Sequence, residues 1–171
     1  MKRYLVLLLL VIDLSAFTLH MKTFSANFTQ TIIDDKNTTI RYFGNIQAKQ
    51  PDMVRWNYTK PIKKEVYIDR DRITIIEPQI EQAIVTKINN MLAFFKVLKN
   101  AKKIDDNHYI SFYNHTKLHL SIKKGMIMSI SYMDQLQNKI VIRFSDQIQN
   151  GAINDQLFQA HIPKEYDVIT R

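Results

Sequence analysis

From residue 24 to residue 145 the chain alternates apolar and polar side chains almost without interruption, and a period of two commits a backbone to strands. Phe24, Ala26, Phe28 and Gln30 share one side of a first strand. Tyr42, Gly44 and Ile46 repeat the pattern, as do Val54, Trp56 and Tyr58. Further runs fall at 66–69, 72–77, 82–85, 108–113, 116–122, 126–133 and 139–145. Turn-forming residues separate several of them, at 34–37, 123–125 and 135–138. Ten or eleven short antiparallel strands spaced in this way predict a mainly β fold, one large curved sheet or barrel.

A single stretch departs from that rhythm. Ile88, Met91, Leu92, Phe94, Phe95 and Leu98 recur at helical intervals, with Asn89 and Asn90 near the start and Lys96 and Lys99 near the end. This predicts an amphipathic helix over 88–98. Periodicity fits equally a plug at the end of the sheet or a lid over a hollow one.

The amino terminus has its own pattern. Lys2 and Arg3 precede an apolar run from Tyr4 to Ile12, followed by Asp13, Ser15 and Ala16. The run is shorter than the roughly 20 apolar residues of a membrane span and ends among small residues, so it reads as a secretory signal cleaved after Ala16. An uncleaved anchor is the alternative, because Leu14 is bulkier than cleavage sites prefer. Residues 17–171 then form one domain, long enough to bury a core without crosslinks. No cysteine is present, which removes disulfides, thiol chemistry and Cys-based metal sites.

The net charge of +8 falls by one when Lys2, Arg3 and Asp13 leave with the signal. A field of that sign favours acidic partners, and export argues against nucleic acid. The pairs Lys63-Lys64, Lys102-Lys103 and Lys123-Lys124 read as solvated surface.

Catalytic patterns are missing. The chain holds no Gly-x-Ser-x-Gly, Gly-x-Gly-x-x-Gly, Walker loop or His-Glu-x-x-His, and its three glycines leave no room for phosphate-cradling loops. His115 and His119 have the spacing of helical metal ligands, but Leu118, Leu120 and Ile122 alternate around them. On a strand that spacing separates them by about 13 Å, too far for one ion. Glu77 and Glu81 flank Pro78 in what reads as a solvated turn. Four Asn-x-Thr triplets, beginning at Asn27, Asn37, Asn57 and Asn114, match a glycosylation acceptor pattern and read as chance. Neither a metal nor a cofactor is expected.

Laid end to end, the strands resemble the LolA family of periplasmic outer-membrane lipoprotein carriers. Phe24-Ser-Ala26-Asn-Phe28-Thr-Gln30 matches the family's opening Phe-x-Ala-x-Phe-x-Gln. Gly44, Pro51, Arg55-Trp56, Tyr58 and Pro61 follow in its order and spacing, and Pro78-Gln-Ile-Glu81-Gln82 resembles its Pro-x-x-Glu-Gln segment. Phe158, Pro163 and Tyr166-Asp167-Val168-Ile169 look like its closing turn and strand, so the likeness spans 24–169.

The resemblance implies an unclosed antiparallel half-barrel with a helical lid over its concave face. The cavity between them would hold the acyl chains of a lipoprotein, without catalysis. Its implied lining is Phe28, Val54, Trp56, Tyr58, Ile73 and Ile75 from the first strands. The lid would add Met91, Leu92, Phe94, Phe95 and Leu98, and the later strands Met128, Ile130, Ile142 and Phe144. The implied partners are acylated lipoproteins, an ATP-driven inner-membrane releasing complex of the ABC type and an outer-membrane acceptor, met by a monomer that does not insert stably in a membrane. An envelope-stress sensor sharing the half-barrel is the alternative reading, and a hydrolase with an unrecognised site is a weaker one.

Three departures stand out. Gln50 replaces the basic residue that tethers the lid in the family, and Arg55 is a doubtful substitute. Asp69-Arg70 replaces an Asp-Gly turn, and Thr74 occupies an aromatic position. The helix preceding the first strand is expected to be short, with seven residues between Ala16 and Phe24. Amino-terminal sequencing of protein from the periplasmic fraction should show a mature chain beginning at or near Phe17; an intact Met1 in a membrane pellet contradicts cleavage.

Overall fold

The computed structural model describes residues 21–87 and 94–170. The signal segment, the residues expected to form a helix before the first strand up to 20, and Ile88, Met91 and Leu92 lie outside the described residues.

Eleven strands run in succession around one helix: β1 Thr23–Ile33, β2 Thr39–Lys49, β3 Met53–Lys60, β4 Lys64–Asp69, β5 Arg72–Glu77, β6 Gln82–Lys87, helix α1 Phe94–Lys99, β7 Lys102–Lys103, β8 His108–Tyr113, β9 Thr116–Lys123, β10 Met126–Met133 and β11 Lys139–Gln149. A closing strand, β12, covers Asp167–Thr170. All twelve form a single sheet in the order β12-β6-β5-β4-β3-β2-β1-β11-β10-β9-β8-β7. Its ends, β12 and β7, are not paired to each other, so the sheet is unclosed. Neighbours are antiparallel except β12, which runs parallel to β6.

The hairpins follow from local chemistry. Asp34 Oδ1 accepts from the N–H groups of Lys36 and Thr38 between β1 and β2, while Asn37 takes the left-handed conformation at φ 61°. Asp134 repeats the device between β10 and β11, accepting from Leu136 and Asn138, with Gln137 at φ 64°. An Asx side chain that substitutes for a turn carbonyl fixes both corners. In the β4–β5 hairpin Arg70 sits at φ 55°, the backbone position for which the family's glycine has no Cβ penalty.

The sheet curls. Val66 on β4 and Tyr113 on β8 line the same cavity, although β3, β2, β1, β11, β10 and β9 stand between their strands. Even-numbered residues of β1 face inward, and Phe24, Ala26 and Phe28 join Ile46, Trp56, Leu120, Ile142 and Phe144 in one buried cluster. α1 packs into this face with Phe94, Phe95, Val97 and Leu98 all buried. The helix therefore covers the concave side, the position expected of a lid.

The outer face of β3 to β6 is covered by the carboxy-terminal segment. A short 3-10 helix, Asp155–Phe158, lies against β3 and β4, with Phe158 buried. Ala160, Ile162 and Tyr166 then pack on Tyr67, Ile76 and Ala83. Thr74 is buried and pairs with Tyr67, so the missing aromatic concerns this outer side and leaves the cavity lining unaffected.

β10 corrects one expectation. A register shift between Ile127 and Ser129 inserts an extra residue opposite β9, and a bulge of that kind turns the side-chain alternation over. Ile127 and Ile130 consequently point inward and are buried, whereas Met128, expected in the cavity lining, is 43% exposed.

Gly44 is required by a close approach. A Cβ there would lie 2.0 Å from the carbonyl oxygen of Asn57 and 2.9 Å from the Phe28 ring. Gly44→Ala must push β2 from β3 or displace Phe28, and is expected to cost at least about 2 kcal/mol, read as a lower urea midpoint; an unchanged midpoint contradicts the packing described.

Candidate functional site: a cavity and an aromatic track on the concave face

An aromatic track crosses the concave face. Tyr42 meets Tyr58 edge-on at 5.9 Å, Tyr58 meets Phe28 at 5.0 Å, and Phe28 meets Trp56 at 5.0 Å. Trp56 lies 6.4 Å from Phe144, which contacts Phe24 at 5.5 Å. Phe94 of α1 closes the track, 5.0 Å from Phe24 and 6.4 Å from Phe144. Such ring pairs contribute roughly 0.5–1.5 kcal/mol each beyond their buried area. At the Phe24 end the helix is thus sealed onto the sheet.

The other end is open. A cavity of about 210 Å³ is lined by Trp56, Tyr58, Val66 and Ile142 together with Gln30, Tyr113, Asn114, Thr116, Tyr132 and Gln135. Burial raises the Tyr58 and Tyr132 phenols above their ordinary value, so both remain neutral hydrogen-bonding groups. The ammonium of Lys64 lies 4.9 Å from the centre of the Tyr58 ring, placing a positive charge beside the opening.

The residues singled out from the sequence distribute as follows. Phe28, Val54, Trp56, Ile73, Phe94, Phe95, Leu98, Ile130, Ile142 and Phe144 are buried together in the inner cluster, and Tyr58 and Ile75 pack half-buried against it. Trp56, Tyr58 and Ile142 touch the open cavity. Met128 does not face it. Gln30, Val66, Tyr113 and Tyr132 line the cavity without having been expected there; all four share the side-chain parity of their strand's inward residues, which was the available signal.

Gln50 holds a different partner from the lid. Its Nε2 donates to the carbonyl of Met21 at 2.8 Å and its backbone N–H to that of Lys22 at 2.9 Å, which pins the segment leading into β1. Arg55 is no substitute tether. It lies on the outer face, where its guanidinium donates to Glu65 at 2.9 Å and sits 5.5 Å from the centre of the Tyr67 ring. Tyr67 also donates to Glu65, and burial together with that bond pushes its phenol up to about 12. Among the described residues, α1 is held to the sheet by the packing of Phe94 on Phe24 and Phe144.

Other candidates fall elsewhere. His115 sits in the β8–β9 turn at φ 64° and His119 is exposed on β9. Glu77 and Glu81 bracket the short helix Pro78–Ile80, and the Glu81 carbonyl accepts from Asp167 N at 2.9 Å to start β12. That turn is structural.

Comparison with known proteins agrees with this architecture. The family described as "Outer membrane lipoprotein carrier protein LolA" matches residues 20–161. An outer-membrane lipoprotein carrier protein of Campylobacter jejuni is 34% identical over 168 residues, covering 98% of each chain. One from Helicobacter pylori strain HPAG1 is 35% identical over 139 residues, 81% of this chain and 74% of its own. Among solved structures, an uncharacterised conserved protein of Thermus thermophilus superposes with a TM-score of 0.56 at 11% identity, covering 90% of this chain and 93% of the other. A LolA superfamily protein of Nitrosomonas europaea gives 0.51 at 12% identity, over 82% and 91%. These two likenesses show the fold. With the family pattern matched over residues 20–161 and a relative 34% identical along nearly the whole chain, the chain belongs to the LolA family of outer-membrane lipoprotein carriers.

Proposed function

We propose that this protein is a periplasmic carrier that takes the acyl chains of lipoproteins into the space between α1 and the concave sheet and ferries them toward the outer membrane. The observation that supports it most directly is the concave face itself, where an aromatic track leads from the cavity beside Trp56 and Tyr58 to the buried Phe94 of α1. The names of its relatives point the same way. Among the described residues no helix is long and apolar enough to cross a membrane, which is consistent with a carrier that moves between membranes.

The energetics favour loading. Each buried methylene contributes about 0.8 kcal/mol, so one chain of a dozen or more carbons gains on the order of 10 kcal/mol. The cavity of about 210 Å³ is smaller than the roughly 300–1,000 Å³ of ordinary ligand pockets, so in this reading a long chain must also take up space that α1 now fills on the sheet. Separating Phe94 from Phe24 and Phe144 breaks two ring pairs, about 1–3 kcal/mol, and the incoming hydrocarbon re-covers their area. Loading therefore needs no chemical step. In this reading the chain catalyses nothing, binds no nucleotide, receives cargo from an ATP-driven inner-membrane complex and yields it to an outer-membrane acceptor.

The lid supplies the test. Phe95 is buried on α1, and a carboxylate there would have to be desolvated, at several kcal/mol, or would hold the helix off the sheet. Phe95→Glu is expected to retain the β circular-dichroism spectrum and to co-purify from periplasm without the acylated proteins that mass spectrometry finds on the wild type. Loss of folding with undiminished cargo per folded molecule would make the helix a plug and sink this reading.

A further inference from the structure

A carboxamide on the inward face of β1, next in line after Phe24, Ala26 and Phe28, requires a reason. Gln30 faces the cavity from β1, in register with Ile142 on one side and Tyr42 on the other. Its Oε1 accepts a hydrogen bond from the Tyr58 hydroxyl at 2.8 Å. Tyr58 is in turn fixed by edge-on contacts to Phe28 and Tyr42. With the oxygen engaged, the group Gln30 presents to an occupant of the cavity is its NH2, which has no hydrogen-bond partner among the described residues.

Water can satisfy that donor while the cavity is empty, but an acyl chain expels water. A buried donor left unpaired is unfavourable, and a methylene chain offers no acceptor. The carbonyl of a fatty-acyl ester does. From Gln30 the inward positions of β1 toward α1 are Phe28, Ala26 and Phe24, so roughly 20 Å of apolar strand lies beyond it to receive hydrocarbon. Resting on the carrier reading above, we propose that Gln30, positioned by Tyr58, donates to a fatty-acyl ester carbonyl of the cargo's lipid anchor, setting how deep the chains lie and selecting acyl over alkyl ligands.

The test is equilibrium binding of a synthetic diacylglyceryl-cysteine peptide and its dialkyl-ether analogue, which differ only in the ester carbonyls. The wild type is expected to bind the ester form roughly three- to tenfold more tightly, the worth of one buried hydrogen bond. Gln30→Met keeps the side-chain length without the amide and is expected to bind both peptides with the affinity of the ether. Tyr58→Phe, which frees the carboxamide to turn, is expected to reduce the preference. Equal affinity of the wild type for the two peptides overturns the inference without any variant having to fold, as does a preference retained in Gln30→Met. Failure of the wild type to bind either peptide would instead overturn the carrier reading, and this inference with it.

Discussion

Phe24 against Phe94, 5.0 Å between ring centroids, joins the only described helix of the lid to the first strand of the sheet. In α1, as in most helices of folded proteins, stability comes mainly from packing an apolar face. Its stability comes from burying Phe94, Phe95, Val97 and Leu98 on the sheet. A lid made this way can be displaced by another hydrocarbon surface, since what holds it is non-directional burial with few polar anchors.

The sheet is prepared for that exchange. Its two faces are treated differently: the outer face of β3 to β6 is sealed by the carboxy-terminal segment and by the Arg55, Glu65 and Tyr67 group, while the inner face carries α1 and an open cavity. Removing the lid would therefore leave the outer packing intact. The edges are guarded as well, since β7 is two lysines long and β12 is fed into place by the Glu81 carbonyl. Exposed strand edges that are short and charged resist pairing with other chains.

Much of this was legible in the sequence. Period-two alternation gave the strands, and the helical spacing of Phe94, Phe95 and Leu98 marked the interruption. What was not legible depends on pairing between strands distant in sequence. Met128 was expected inside because alternation was carried evenly through β10, and the bulge that turns it outward exists only by virtue of its register with β9. Thr74 could not be assigned a face until the carboxy-terminal segment was seen to cross it. Gln50 showed a missing charge, but its partner, the Met21 carbonyl, is set by the fold. Gln30 carried a correct parity signal and was passed over because a polar residue reads first as solvent-facing.

The central claim is that acyl chains occupy the space above Trp56, the single tryptophan of the chain. Trp56 is buried, lines the cavity and lies on the aromatic track, so a heavy atom on a bound chain would come within contact of its ring. The direct measurement is its fluorescence during titration with a lipopeptide whose acyl chains carry bromine near mid-chain. Quenching that saturates with binding and is reversed by an unbrominated competitor is expected. Saturable binding seen by calorimetry with Trp56 emission unquenched would place the chains elsewhere and contradict it.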